Sequence, residues 1–172
     1  MHYALHGLLV KYSNVATDIA IAARAGYDAV ELHTEKLDRY LAAGFTGEDI
    51  SALLAAHDMK VNCIDIIGDV ETQHAEKRRE VLRKAELLSK TAQQIGCPTI
   101  QLNAFSELDG KSERENIEKT AKNIREICSI GLGYGIRFQY EGAAWTPIHS
   151  IEQCSALVEE VGMDNFGLVV DF

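Results

Sequence analysis

The 172-residue sequence lacks several features that mark common protein classes. No apolar run approaches the roughly 18 residues that a membrane-spanning helix requires, and the first residues lack the basic start and apolar stretch of a signal peptide. The cysteines form no Cys-x-x-Cys pair, which argues against a zinc knuckle or a disulfide framework and predicts reduced, buried thiols. We therefore expect a cytoplasmic protein with no membrane partner. The four cysteines are Cys63, Cys97, Cys128 and Cys154.

Basic residues are also scarce, since 17 Lys and Arg stand against 26 Asp and Glu and give a formal net charge of -9. Phosphate contacts need clustered Lys and Arg, so this balance disfavours a nucleic-acid partner. Neither a Gly-x-Gly-x-x-Gly turn nor a complete Gly-x-x-x-x-Gly-Lys-Ser/Thr loop occurs, so the sequence does not support a nucleotide-binding open sheet.

The sequence is rich in hydrophobic residues, which make up 47% of the chain and are enough for one sizeable core. Its length favours a single domain over 1–172. Predicted strands alternate with helices at intervals of about 30 to 40 residues, which is the length of a strand-helix unit. This alternation predicts a parallel β/α architecture. The first strand is expected over 3–10, and the later strands begin near Ala29, Val61, Thr99, Arg137 and Gly167.

Polar residues stand at the C-terminal ends of these predicted strands. In a (β/α)8 barrel the reactive groups occupy these ends and face a common mouth, so the pattern favours a barrel. An open parallel sheet, which also gathers polar residues at its carboxyl edge, is the alternative. The residues are Glu31 and His33, Asp65, Gln101 and Asn103, Gln139 and Glu141, and Asp171.

Two carboxylates close successive strands in the same manner. Glu141 ends the strand within 136–142, where alternation places it on a polar face, and Asp171 ends the apolar run 166–172. Carboxylate oxygens suit Mg²⁺ or Mn²⁺, so the pair predicts a shared metal or proton-transfer site. A structural salt bridge or a helix cap is the alternative role for each.

Four segments of the chain carry a further signal through their order and spacing, and they are 26–33, 96–103, 138–141 and 167–171. Together they resemble the xylose isomerase-like TIM-barrel family, whose members include sugar isomerases, sugar epimerases and inosose or sugar-acid dehydratases. The resemblance implies that Glu141 and Asp171 bind a divalent metal and that a His and a Glu from a seventh and an eighth strand complete the shell. A full barrel takes about 250 residues, so we expect about six of eight β/α units here and a longer natural enzyme.

The resemblance implies a divalent-metal-dependent sugar or sugar-phosphate isomerase or epimerase that moves a proton next to a carbonyl. Glu141 would be metal ligand and base, and Asp171 a second ligand. The expected ion is Mn²⁺ or Mg²⁺, with Co²⁺ or Zn²⁺ as alternatives. The predicted substrate-binding residues are His33, Glu31, Asn103, Gln101 and Trp145.

Each substrate-binding residue also has a structural alternative. Glu31 could pair with a base such as Arg137, and His33 could be a hydrogen-bonded residue of the barrel wall. The amides at 101 and 103 could satisfy buried backbone groups, and Trp145 could pack against a helix.

Two alternatives to the isomerase stay open. A dehydratase of an inosose or dehydroshikimate-like substrate could use the same site. A non-catalytic partial barrel could bind a partner subunit through its open strand edges, and copies of the chain could form a homo-oligomer through them. The 172 residues alone are expected to be inactive or impaired, because half of the metal shell would be missing.

Overall fold

The structure is a computed structural model that describes residues 2–106, 108, 110 and 112–170. In these residues one α-helix separates most successive strands, as the strand-helix period predicts, and two helices lie between the second and the third strand. The strands are β1 (Ala4–His6), β2 (Ala29–His33), β3 (Lys60–Ile67), β4 (Thr99–Leu102), β5 (Arg137–Glu141) and β6 (Phe166–Val169). The helices are α1 (Val15–Ala25), α2 (Thr34–Ala42), α3 (Gly47–Ala56), α4 (Ala75–Ile95), α5 (Glu113–Leu132) and α6 (Ile151–Val161).

The chain divides into two compact units. The first unit comprises Met1–Asp65 and Lys90–Thr99, and the second comprises Ile66–Ser89 and Ile100–Phe172. In the first unit β2 pairs with β1 on one side and with β3 on the other, and both pairings are parallel. In the second unit β5 pairs in parallel with β6. Parallel strands joined by helical connections confirm the predicted α/β fold class.

Helix boundaries follow the capping residues that the sequence offers. The Asn14 side chain accepts a hydrogen bond from the backbone N–H of Thr17 and begins α1, and Gly26 ends that helix with a φ of 80°. Thr46 and Asp49 form a capping box at the start of α3. These local signals settle most helix ends without help from distant residues.

The first strand is shorter than predicted. The expected strand over 3–10 stops at His6, and residues Gly7–Val10 form a 3-10 helix instead. The His6 Nδ1 atom accepts a hydrogen bond from the Leu8 N–H at 3.0 Å, which turns the chain away from the sheet. Gly7 allows this turn to lie close to β2, because a Cβ there would sit 2.9 Å from the backbone oxygen of Glu31.

Each unit has its own apolar core. In the first unit, α1 packs against α3 and against β2. In the second unit, α5 packs against α6, and β5 buries Phe138 and Tyr140. No helix in the described part of the chain is both long and apolar enough to cross a membrane. The largest fully buried side chains are Ile19, Leu32, Leu37, Ile50 and Ile64 in the first unit and Ile67, Leu88, Ile100, Leu102, Ile124, Phe138 and Tyr140 in the second.

One buried ion pair ties the first unit together. Lys36 Nζ lies 2.8 Å from Asp18 Oδ2, and both side chains are almost fully buried. The same ammonium donates to the carbonyl oxygens of Gly7 and Val10 at 2.8 Å each and to Ser13 Oγ at 2.9 Å. The charge is therefore fully hydrogen-bonded, which is the condition under which a buried charge is tolerated.

Replacing Lys36 with Met should strongly destabilise the protein. The substitution leaves the Asp18 carboxylate buried without its cation, and breaking a buried pair from one side costs about 3 to 5 kcal/mol. Urea denaturation of the variant and the parent measures the loss. Lys11→Met is the control, since Lys11 is exposed and should shift the free energy of unfolding by less than about 0.5 kcal/mol. A loss under about 1 kcal/mol for Lys36→Met would contradict this role.

All four cysteines are free and buried, as the sequence predicted. Burial raises the pKa of the Cys97 thiol from 9.0 to about 12, and it does the same for Cys128. Desolvation is the main cause in both, because a thiolate loses its hydration inside an apolar core. These thiols stay protonated and unreactive in the folded protein at neutral pH.

The raised thiol pKa values predict a loss of stability at alkaline pH. Below pH 9 the thiols are protonated in both states, whereas between pH 9 and 12 only the unfolded state loses their protons. Each thiol should therefore lower the free energy of unfolding by about 1.4 kcal/mol per pH unit in that window. Urea titrations at pH 8 to 11 measure the free energy of unfolding, which should fall less steeply with pH for Cys128→Ala than for the parent. Ser129→Ala is the control, because it changes a neighbouring side chain that does not titrate, and it should leave the slope of the free energy of unfolding against pH unchanged.

Candidate active site

Glu141 is placed by the alternation of β5, as the sequence predicted. Phe138 and Tyr140 are buried, whereas Arg137 is exposed and Glu141 is half-buried. The Tyr140 hydroxyl donates to the Ile148 carbonyl oxygen at 2.9 Å and so ties the loop that follows β5 to the strand. Two buried aromatic anchors thus fix the strand, and the carboxylate ends it.

A row of amides holds the Glu141 carboxylate in the second unit. Gln139 Nε2 donates to Gln101 Oε1 at 3.3 Å, and Gln101 Nε2 donates to Glu141 Oε2 at 2.8 Å. Gln101 is only 7% exposed, so its amide has few other orientations. Glu141 Oε1 accepts no hydrogen bond from the described side chains. One oxygen of the carboxylate is therefore oriented, and the other is open to a further partner.

Asn103 is directed at the backbone of β5 more than at the carboxylate. Its Nδ2 lies 3.5 Å from Glu141 Oε2, a separation at the limit of a hydrogen bond. With the amide nitrogen turned toward the strand, it donates to the Glu141 carbonyl oxygen at 3.1 Å, and we assign this orientation. The contact matches the structural alternative, and substrate binding by Asn103 stays a prediction.

Trp145 lies in the loop between β5 and α6, and 78% of it is exposed. It therefore does not pack against a helix, which was its structural alternative. The loop around it is ordered by Thr146, whose hydroxyl oxygen lies 2.8 and 3.0 Å from the carbonyl oxygens of Ala143 and Ile148 and donates its one hydrogen to either of them. An exposed ring on a fixed loop suits a residue that covers a ligand, and that role stays a prediction.

The second predicted metal ligand, Asp171, lies outside the described residues. Its pairing with Glu141 therefore stays a prediction from the sequence and the resemblance.

A second polar cluster lies in the first unit, at the ends of its three strands. His6 Nε2 is 3.1 Å from Glu31 Oε1 and 3.7 Å from Asp65 Oδ2. The three ligand atoms all lie within 4.8 Å of one another, and this separation allows them to share one ion. His33 borders the cluster, with its Nε2 at 4.0 Å from Asp65 Oδ2. The predicted residues Glu31 and His33 are thus brought together.

Sequence reasoning gave His6 less weight than His33, and it assigned neither His6 nor Asp65 to the site. The register explains both. His6 pairs with Glu31, and His33 pairs with Asp65, so all four lie on one face of the sheet. An irregularity between β2 and β3 skips Asn62, and without it Asp65 would face the other way. A polar residue at the end of each strand was the available signal, but no sequence pattern marked the bulge.

Glu71 is a buried carboxyl of the second unit that the sequence did not single out. The backbone N–H of Ser106 donates to its Oε1 atom, while the Ser106 hydroxyl donates to Asp69 Oδ1 at 2.7 Å. Desolvation raises the pKa of Glu71, and the nearby Asp69 adds to the rise. These contacts join the loop after β3 to the segment after β4, so we assign Glu71 to the structure of the loops.

Comparisons with known proteins agree on one family. Residues 19–172 match the family described as xylose isomerase-like TIM barrel. An inosose isomerase of Bacillus velezensis is 25% identical over 163 residues, which are 92% of this chain and 58% of the relative. The crystal structure of IolI protein with a bound zinc atom has a TM-score of 0.89 at 20% identity, over 99% of this chain and 63% of that one. The probable 3-DHS dehydratase AsbF of Bacillus anthracis has a TM-score of 0.82 at 19% identity, over 100% of this chain and 63% of that one.

The chain thus spans 58% of the length of that inosose isomerase and 63% of each of these two solved chains. The predicted barrel fold is confirmed by the family match together with the parallel strands and alternating helices. This chain belongs to the xylose isomerase-like TIM-barrel family.

Proposed function

We propose that the protein is a divalent-metal-dependent isomerase or epimerase of a sugar or a related polyhydroxylated ketone. The observation that carries the proposal is the Glu141 carboxylate at the end of β5, with Oε2 held by Gln101 and with no hydrogen bond to Oε1 from the side chains that the structure describes. The matches to inosose isomerases support the same reaction class, and the zinc atom in the IolI structure supports a divalent metal.

The chemistry that Glu141 can perform is proton transfer next to a carbonyl. Its Oε1 atom would take the proton from the carbon beside the carbonyl and give it back to a neighbouring carbon or to the same carbon. The first outcome is isomerisation, and the second contributes to epimerisation. The hydrogen bond from Gln101 keeps the carboxylate aimed while the proton moves, and such positioning is where much of the rate enhancement arises.

The residues fit a divalent ion. Glu141 offers a half-buried carboxylate whose Oε2 atom, besides accepting from Gln101, has a second lone pair that could bind an ion while Oε1 serves as the base, and the resemblance adds Asp171 as a second oxygen ligand. When bound, the ion would polarise the substrate carbonyl and stabilise the negative charge that develops on its oxygen. Carboxylate oxygens favour Mg²⁺ or Mn²⁺, while the zinc in the IolI protein adds Zn²⁺ to the ions to be tested.

The substrate would be a small molecule with several hydroxyls and one carbonyl. The indole ring of Trp145 offers an apolar face for the carbon skeleton of such a molecule, and Gln101 offers an amide for one of its hydroxyls. Glu31 and His33 could also contact substrate, but their partners in the first unit are His6 and Asp65. We give them no role in the proton transfer.

A dehydratase is the second candidate, favoured by the likeness to the probable 3-DHS dehydratase AsbF. The same base would remove a proton beside the carbonyl, and the hydroxyl on the next carbon would then leave as water. The mass of the product separates the two reactions, because a dehydratase product is lighter by one water and an isomerase product is not.

Replacing Glu141 with Gln should abolish proton transfer. The amide keeps the size of the side chain but accepts no proton, and removing a general base costs about 100- to 10,000-fold in rate. The measurement is the exchange of carbon-bound substrate protons with deuterated solvent, followed by NMR for the full natural polypeptide with an inosose and with ketohexoses. Glu152→Gln is the control, since Glu152 is exposed in the first turn of α6. If the parent exchanges no proton of any ketone tested, the proposal fails.

Gln101→Met should slow the reaction without unfolding the protein. Methionine has similar length and suits a buried position, but it donates no hydrogen bond to Glu141 Oε2. Mispositioning a catalytic group can cost up to about 100-fold, and the loss should appear in kcat more than in KM. Equal rates for Gln101→Met and the parent would show that Gln101 does not position the base.

A further inference from the structure

We propose that His6, Glu31 and Asp65 form a second metal site, which binds a divalent transition-metal ion such as Zn²⁺. The site lies wholly within the first unit and uses none of the residues that carry the proposed proton transfer.

The ligand chemistry suits zinc. One imidazole nitrogen and two carboxylate oxygens are common zinc ligands, and three protein ligands leave a fourth position for water or a substrate group. Two ligands that each lie about 2.0 to 2.2 Å from a zinc ion are at most about 4.4 Å apart. The separations of 3.1 Å and 3.7 Å meet this limit, and the third exceeds it by at most a few tenths of an ångström.

Burial and charge favour a cation at this position. The side chains of Glu31 and Asp65 are only 16% and 6% exposed, and both carboxylates approach the same ring nitrogen of His6. Two carboxylates that share a small, poorly hydrated volume repel each other, and a divalent ion between them offsets that repulsion. The His6 side chain is 42% exposed, so an ion has a path to the site from solvent.

The backbone arranges this cluster in advance. The irregularity at Asn62 is what turns Asp65 toward the face that holds Glu31, and bulges of this kind often aim a side chain at a functional site. On the other side, Gly7 lets the chain after β1 lie close against the end of β2. A Cβ atom at this position would be only 3.2 Å from the backbone nitrogen of His33, so a larger residue would push the chain away. Three strand ends are thus held at the separation that one ion requires.

His33 lies beside this site without joining the three ligands. Its Nε2 is 4.0 Å from the Asp65 oxygen that also faces His6, which is too long for a hydrogen bond.

The test counts ions on the full natural polypeptide carrying Glu141→Gln, which removes the base of the proposed reaction and one ligand of its metal. After dialysis against a chelator, Co²⁺ is added and its visible absorption is followed, and Zn²⁺ is then added as a competitor. We expect one Co²⁺ bound with the absorption of a site of low coordination number, and full displacement by Zn²⁺.

Variants made in the same background identify the ligands. His6→Ala and Glu31→Gln should each weaken Co²⁺ binding by more than about 100-fold, because each removes a ligand of the ion itself. His57→Ala is the matched control, since His57 is an exposed histidine at the end of α3, and it should bind like its parent. Circular dichroism establishes that each variant is folded.

Two results would overturn the metal site. If the Glu141→Gln protein binds no Co²⁺ at millimolar concentrations, the cluster is a hydrogen-bonded group without an ion. If it binds Co²⁺ but His6→Ala and Glu31→Gln bind equally well, the ion lies elsewhere. Neither result bears on proton exchange by the parent protein, so a failure here is distinguishable from a failure of the proposed function.

Discussion

The register between β2 and β3 decides which side chains of the first unit can meet. Paired residues on parallel strands point to the same face, and a shift of one residue turns a whole strand end to the other face. The step from the Val30–Val61 pair to the Glu31–Cys63 pair leaves Asn62 unpaired and restores Asp65 to the face of His33. Without this single irregularity the carboxylate would point away from His6, and the cluster would not exist.

In the second unit, the regular alternation of β5 determines which side chains share one face of the strand. β5 has no irregularity in its pairing with β6, and Phe138 and Tyr140 are buried while Gln139 and Glu141 face the polar side. The buried aromatics stabilise the strand, which leaves the carboxylate at its end free from any packing role. Its orientation comes from a neighbouring amide, Gln101, which is itself buried and held by a second amide. A site of this kind is rigid because its supports are buried.

The sequence was sufficient wherever the signal was local. Asn14, Gly26 and the Thr46–Asp49 box each act within one turn of helix, and the alternation of β5 can be read over five residues. What could not be predicted depends on distant residues. The bulge at Asn62 arises from pairing with β2, about thirty residues earlier in the chain. His6 was given little weight because its partner Glu31 becomes visible only once β1 and β2 are paired.

Lys36 shows the same limit and explains why the turn after β1 is fixed. A lysine in a helix is ordinarily solvated, yet this one is buried and donates to the carbonyl oxygens of Gly7 and Val10 as well as to Asp18. Stability alone gives weak reason for such a pair, because apolar residues often replace buried ion pairs without loss. The hydrogen bonds to two backbone carbonyls are specific to the cation, and they set the path of the 3-10 helix that begins beside His6. Since His6 lies at the N-terminus of that helix, the buried cation helps to determine where its ring stands relative to Glu31.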